Sequence, residues 1–381
     1  MTNTIAIFGL LVVLMAIGMP VGVALGLTVL SFMFIFTDVP LESVALKMFT
    51  GIEKFEIMAI PFFILAGNFL THGGVARRMI NFATAMVGHL RGGLGMSSVL
   101  ACALFAAVSG SSPATVVAIG SILIPAMLKQ GFSLRFASGV VASAGGLGIL
   151  IPPSIVMVMY AVTTNSSVGA LFMAGVIPGL LLAFMLGVCT WYVAKKRNFP
   201  TLPAASWGER FAAFRKAFWG LMLIVVVMGG IYSGLFTPTE AAAMSAVYAF
   251  FIAVFVYKDL TFKQIPRVLL DSANMSSMLL FIIASAVLFS FILTSEQIPQ
   301  RMADAIVASG MGVIGFLIVV NILLLVAGAL MEPSSVILIL APILFPVATA
   351  LGIDPIHFGV MIVVNMEIGM ITPPVGLNLY V

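Results

Sequence analysis

Charge is what this sequence has least of: Asp, Glu, Lys and Arg make up 8% of its 381 residues, against 62% hydrophobic ones. An ordinary soluble domain carries about 25% charged and about 45–50% apolar residues. A water-soluble fold would leave much of that apolar surface uncovered. Cysteine is nearly absent too. Cys102 and Cys189 lie in apolar sequence with no nearby His or second Cys, which removes support for a disulfide framework, a metal site or thiol chemistry. Both read as packing residues. His72, His89 and His357 sit near predicted loops and read as solvated. The chain has no HExxH, no GxSxG and no pair of intramembrane aspartates, and Ser111 has no evident histidine partner, so an enzyme is not expected.

What is present is length of apolar run. A spanning helix needs about 20 predominantly apolar residues, and the chain offers roughly ten such stretches, from Ile5–Phe36 almost to Val381. The first has no basic flank, runs too long for a signal peptide and is followed by further spans, so it reads as a retained helix. The net charge of +4 does not form one basic face. Lys and Arg lie in short connections between apolar runs, the positive-inside pattern, which points to membrane lipid and away from nucleic acid. The densest group, Lys195, Lys196, Arg197, Arg210, Arg215 and Lys216, surrounds Pro200 and Pro203, so residues 195–216 are placed in the cytoplasm. This stretch also divides the chain in two.

A repeat spans the two halves, carried by glycine and proline. The first half reads SGSSPATVVAIGSILIPAM over Ser109–Met127, then GILIPPS over Gly148–Ser154. The second reads GALMEPSSVILILAPILFP over Gly328–Pro346, then GMITPPV over Gly369–Val375. Pro125 to Pro152 (152 − 125) and Pro346 to Pro373 (373 − 346) are both 27 positions, and each Gly-x-x-x-Pro-Pro places its glycine four before the first proline.

Length then folds the first repeat. Leu94–Ser109 and Pro113–Leu128 are 16 residues each, about 24 Å of helix, too short for a hydrocarbon core near 30 Å. Ser-Gly-Ser-Ser-Pro breaks the helix between them, and both outer ends are basic, with Arg91 before and Lys129 and Arg135 after. The expectation is a re-entrant hairpin with its tip near the midplane, followed by a helix from Phe136 that Gly-x-x-x-Pro-Pro interrupts. In the second repeat the matching loop, Ala350–His357, has Asp354 and no Lys or Arg, so it is placed on the opposite side. Two repeats entering from opposite faces form the inverted arrangement of secondary transporters, whose substrate and ions meet broken helices at midplane.

Irregular backbone at membrane depth must line protein or a water-filled cavity, because hydrocarbon satisfies no free N–H or C=O. Helices are expected to restart at Pro113, Pro153, Pro333 and Pro374, with free N–H groups and the positive dipole end available to a carboxylate. The hydroxyls of Ser109, Ser111, Ser112, Thr115, Ser334, Ser335 and Thr372 supply oxygens for a hard cation such as sodium. The plainer reading is that Gly and Pro are common in membrane helices and that Ser and Thr bond back to their own helix. Glu332 and Glu367 lie in strongly apolar sequence, where an unpaired charge costs at least a few kcal/mol. Glu332 is a cation ligand, a proton carrier, a substrate contact or a structural acid at the aqueous rim, and Glu367 is functional or structural. Asn68 and Asn365 are interhelical bridges or site residues, with the structural reading ahead for Asn68.

Several segments in order resemble one family: AIPFFILAGN over Ala59–Asn68, the SGSSPAT tip, GILIPPS, SVGALFMAGVIPG over Ser167–Gly179, FTPTEAAA over Phe236–Ala243, and GMITPPVGLN. These are similar to hallmark segments of the large membrane subunit of the tripartite ATP-independent periplasmic (TRAP) transporters, of the wider ion transporter superfamily, and the resemblance covers nearly the whole chain. It implies an all-α polytopic protein with inverted repeats, each a re-entrant hairpin and a broken helix, arranged as an elevator-type scaffold plus transport domain. On that plan residues 1–90 and 166–300 are scaffold, while 91–165 and 301–381 are the two transport repeats. The resemblance implies sodium-coupled import of an organic acid of the C4-dicarboxylate or sugar-acid class across a bacterial inner membrane. It also implies a small transmembrane subunit and a periplasmic substrate-binding protein as partners, and sodium as coupling ion with no other cofactor. Carried over by position, substrate contacts fall on Ser111, Ser112, Ser167, Glu332 and Pro333. Sodium sites fall on Ser109, Gly110, Pro113, Thr115, Gly145, Gly148 and Pro152, and on Gly328, Ser334, Ser335, Gly369, Thr372, Pro373 and Gly376. Family members run on through at least one more span, so a C-terminal span is expected to be missing after Val381. A stand-alone sodium or proton symporter of organic anions would share the hairpins but need no partners; FTPTEAAA and AIPFFILAGN argue against it.

Overall fold

The computed structural model describes residues 2–37, 40, 42–308, 310 and 312–381, and among them every regular element is helical. Side chains of residues 2–5, where the first apolar run opens at Ile5, lie outside the described set. The chain begins with α1 (Thr2–Ala16), α2 (Val21–Phe36) and α3 (Glu42–Ile52). A short 3-10 turn, Phe55–Met58, leads into α4 (Ala59–His72) and the amphipathic α5 (Val75–Val87). The first hairpin is α6 (Gly93–Ser109) and α7 (Ser112–Lys129), followed by α8 (Leu134–Gly145), α9 (Leu147–Leu150) and α10 (Ile155–Thr164). Then come α11 (Val168–Lys196), α12 (Trp207–Tyr232), α13 (Pro238–Phe251), α14 (Ile265–Ser295) and α15 (Ile298–Ala308). The second hairpin, α16 (Val313–Leu330) and α17 (Pro333–Ala350), precedes α18 (Pro355–Met370) and α19 (Leu377–Tyr380).

Among the described residues eight helices are long and apolar enough to cross a membrane, or nine if the bent pair Leu134–Leu150 with Ile155–Thr164 is one span. Shorter apolar helices, α1, α2, α6 and α18, account for the remaining runs seen in the sequence. The long helices turn large apolar side chains outward, among them Ile177 and Phe184 of α11 and Val225 of α12, as a protein does when lipid is its solvent. The basic stretch falls between two such helices. Lys195 and Lys196 close α11, and α12 opens on a capping box in which Ser206 and Glu209 satisfy each other's backbone N–H groups. The FTPTEAAA segment has the same cause: Thr237 and Glu240 form a capping box around Pro238 at the first turn of α13.

The arms of the first hairpin fall within a residue of their expected bounds, but the helix restarts need correction. At the second tip Pro333 is the first residue of α17, with Glu332 as its N-cap. At the first, α7 starts one residue before Pro113. After the paired prolines no helix resumes at Pro153 or Pro374: α10 starts at Ile155 and α19 at Leu377. A residue preceding proline is driven out of the α region and proline itself has no N–H to give, so two in a row extend the break. Helix resumes only where Ser154 accepts a bond from the Met157 N–H, and on the other side after Gly376, whose φ is +56°.

Each break is tied to its own hairpin. Ile155 N–H donates to Gly110 O at 3.3 Å, and Val375 N–H to Ala329 O at 3.0 Å. The two halves also exchange arms, since α10 packs on α17 while α19 packs on α7. Ser112 and Asn378 seal one exchange: Asn378 Nδ2 donates to Ser112 Oγ at 2.8 Å and to Ala142 O at 3.1 Å. Tyr160 seals the other, its hydroxyl donating to Pro355 O at 2.8 Å. Outside this unit, Lys54 reaches from the turn before α4 to the end of α10, where its Nζ donates to Val162 O at 2.9 Å and to Asn165 Oδ1 at 2.6 Å.

Candidate substrate and cation site

Both hairpin tips open into one cavity of about 440 Å³, within the range of small-ligand pockets. Gly110, Ser111, Ser112 and Pro113 come from the first tip, and Glu332, Pro333, Ser334 and Ser335 from the second. The facing wall is apolar: Met275, Met278, Phe281 and Ile282 of α14, with Pro20–Val23 at the start of α2. Among the residues that line the cavity Glu332 is the only charged one.

The tips differ in how their helix ends are satisfied. Gly110 takes the left-handed conformation, φ +62°, that ends α6, and a side chain there would strike Pro153 O. Ser111 is the N-cap of α7 by position, but its hydroxyl makes no capping bond. The first-turn N–H groups of α7 therefore keep their partial positive charge at the cavity. At the second tip the Glu332 carboxylate does the capping, accepting from Ser335 N–H at 3.3 Å, Ser334 Oγ at 2.5 Å and Ser335 Oγ at 3.4 Å.

Buried oxygens cluster behind the first tip. Ser109 Oγ and Thr115 Oγ1 lie 2.8 Å apart, and both approach the Ser111 carbonyl, Thr115 Oγ1 at 2.8 Å and Ser109 Oγ at 3.3 Å. The glycines of the two broken helices let backbone meet backbone. A Cβ on Gly148 would lie 2.6 Å from Ser111 O, and one on Gly369 would lie 2.6 Å from the Gly328 carbonyl carbon. Gly145 instead faces Val116 of α7.

Other positions singled out in the sequence stand elsewhere. Ser167 caps α11, accepting from the Ala170 N–H at 3.3 Å, and is not part of the cavity lining. Thr372 donates back to Ile368 O at 2.7 Å, and Pro152 is buried while Pro373 is exposed. Asn68 bridges helices by donating to Ser272 Oγ at 2.7 Å, and Asn365 does so with Asn321 Oδ1 at 2.7 Å. Two residues that hold the site were not singled out: Ser154, whose hydroxyl donates to Ile149 O at 2.6 Å across the first break, and Asn378. The Gly-Leu-Asn that ends the second motif was the available signal for Asn378.

A polytopic membrane protein that turns two helix tips, hydroxyls and one carboxylate into a shared cavity has the build of a solute permease. The chain belongs to the tripartite ATP-independent periplasmic transporter family, as a DctM component, whose family model matches residues 8–381. It is 67% identical to the C4-dicarboxylate TRAP transporter large permease protein DctM of Rhodobacter capsulatus, over 100% of this chain and 89% of the relative. To the protein of the same name from Pseudomonas aeruginosa it is 57% identical, over 94% and 84%. Among solved structures, the YdaH transporter of Alcanivorax borkumensis shares the fold with a TM-score of 0.56 at 14% identity, covering 85% of this chain and 78% of that one.

Proposed function

We propose that this chain is the translocating subunit of a system that imports a C4-dicarboxylate across a bacterial inner membrane, driven by sodium. The observation that carries the reading is the shared cavity of both tips, with an uncapped helix end on one side and Glu332 on the other. The free N–H groups of α7 and the Ser111 hydroxyl receive one substrate carboxylate. A dianion is repelled by Glu332 unless a cation lies between them, and the Ser109, Thr115 and Ser111 oxygens offer a hard cation its ligands on the other tip. These features support obligatory co-binding of substrate and sodium, with a second sodium beside Ser334 and Ser335 screening Glu332 from the dianion. Relatives named for C4-dicarboxylates at 67% and 57% identity favour that substrate class.

On this reading residues 91–165 and 301–381 are two inverted halves of one moving unit, and 1–90 with 166–300 are the scaffold. The reciprocal packing of α10 on α17 and α19 on α7 supports treating the halves as one body. The partners are a small membrane subunit and a periplasmic binding protein that delivers the substrate. The test is uptake of radiolabelled succinate into proteoliposomes, with and without a sodium gradient and each partner from the same source. Uptake that needs sodium and both partners is expected; uptake by the chain alone overturns the partner requirement, and uptake indifferent to sodium overturns the coupling.

A further inference from the structure

Glu367 is 4% exposed, and its Oε2 has no hydrogen-bond partner. Its side chain lies over Gly146: a Cβ there would sit 2.7 Å from Glu367 Cγ and 2.9 Å from Oε1. Gly146 thus leaves open the space that this carboxylate occupies. The two residues hold the same place in their halves, each two before the glycine of its Gly-x-x-x-Pro-Pro, Gly148 and Gly369. Where two related units meet about a common axis, equivalent positions face each other. Glu367 therefore sits between the two broken helices, at the junction of α8 and α9.

A carboxyl group this deep is stable only with a proton or a counter-charge, and a structure that leaves its Oε2 unpartnered supplies neither. The elements packed on α18 are α16, α17, α11, α9, α10 and α19. Of these, α9, α16 and α17 carry no ionisable residue, although Glu332 caps α17. Tyr160 of α10 is bonded to Pro355 at the far end of α18, Tyr380 of α19 is exposed, and the ionisable groups of α11 lie between Cys189 and Lys196 in its last turns. No basic side chain occurs on these elements apart from the terminal Lys195 and Lys196, while Arg135 of α8 and His357 of α18 lie in the first turns of their helices, at the ends away from Glu367.

We propose that Glu367 is a ligand of a further sodium ion, bound between the two broken helices and apart from the hairpin-tip oxygens. The inference rests on the sodium-coupled reading above and adds one ion to it. A sodium ion at this place would neutralise the carboxylate and join the halves, so that the moving unit is electrically complete only when loaded.

The test is the steady-state accumulation ratio of succinate in proteoliposomes holding the full transporter, under a tenfold inward sodium gradient with the voltage clamped at zero. Each sodium carried per substrate multiplies that ratio by about ten, since a tenfold gradient adds one decade of driving force per ion. The ratio is thermodynamic, so it does not depend on how much protein is active. Glu367→Gln is expected to lower it about tenfold relative to wild type; an unchanged ratio overturns the proposal. Absence of sodium-driven accumulation in the wild type would instead sink the coupling reading. If the variant does not assemble, carbodiimide labelling of Glu367 in the wild-type complex, read by peptide mass spectrometry, decides. Sodium is expected to suppress the label several-fold relative to choline, and equal labelling in the two salts overturns the proposal.

Discussion

Replacing Gly148 by alanine adds one methyl group where the first broken helix meets the first hairpin tip. The new Cβ would stand 2.6 Å from Ser111 O, 2.7 Å from Ser111 C and 2.9 Å from Ser112 Cα, where ordinary contact begins at 3.4 Å. All three atoms are backbone, so no rotamer change relieves the clash, and the tip must withdraw by roughly 0.8 Å, the shortfall at the closest of the three. Ser111 O is the carbonyl on which Ser109 Oγ and Thr115 Oγ1 converge. Overpacking of this kind costs about 1–3 kcal/mol, and it acts on the carbonyl around which the proposed cation ligands gather. If about 2 kcal/mol falls on the ion-bound state, the half-saturating sodium concentration rises about 30-fold. Gly139→Ala is the control, because nothing lies within 4 Å of its Cβ. Sodium titrations of succinate uptake, with thermal unfolding of the purified protein alongside, read both variants. Wild-type sodium dependence in a folded Gly148→Ala protein would refute the argument.

Ser111→Ala and Pro113→Leu should each abolish uptake in proteoliposomes while membrane insertion, followed by fractionation and chromatography, stays normal; normal transport by both would remove the first tip from the site. Ser112→Ala and Asn378→Ala should be less than additive in thermal unfolding, with a coupling of about 0.5–1.5 kcal/mol, since each removes the same buried bond; full additivity contradicts the arm exchange. Joining cysteines at Lys54 and Asn165 by a short bifunctional linker should stop uptake reversibly, because these residues bridge the proposed scaffold and moving unit. Undiminished uptake in the linked protein means that the two parts do not move relative to each other there.

Much of this was legible because proline and glycine act locally. Ser-Gly-Ser-Ser-Pro and Met-Glu-Pro-Ser-Ser each end one helix and start another within five residues, so both tips lie where the sequence marks them. Helix restarts two or three residues after each Pro-Pro expectation, because the restart is set by the first group able to cap, Ser154 in one case. Ser167 shows the opposite limit: a serine that opens a helix looks the same in sequence whether it caps that helix or faces a ligand. Asn378 and Gly146 matter only through partners more than 200 positions away, Ser112 and Glu367. No local pattern reveals such pairs. The asymmetry of the tips, one helix end bare and the other capped by Glu332, likewise depends on where a hydroxyl and a carboxylate turn.

The central claim is that both tips bind one substrate together with sodium, and paired cysteine protection tests it most directly. In a chain with Cys102 and Cys189 replaced by alanine, single cysteines at Ala114 and at Met331, half-buried beside the two tips and outside the cavity lining, would be alkylated in sodium alone, in succinate alone and in both. Protection of both positions only when sodium and succinate are present together is the predicted result. Protection of one tip without the other, or of neither, would contradict a shared site.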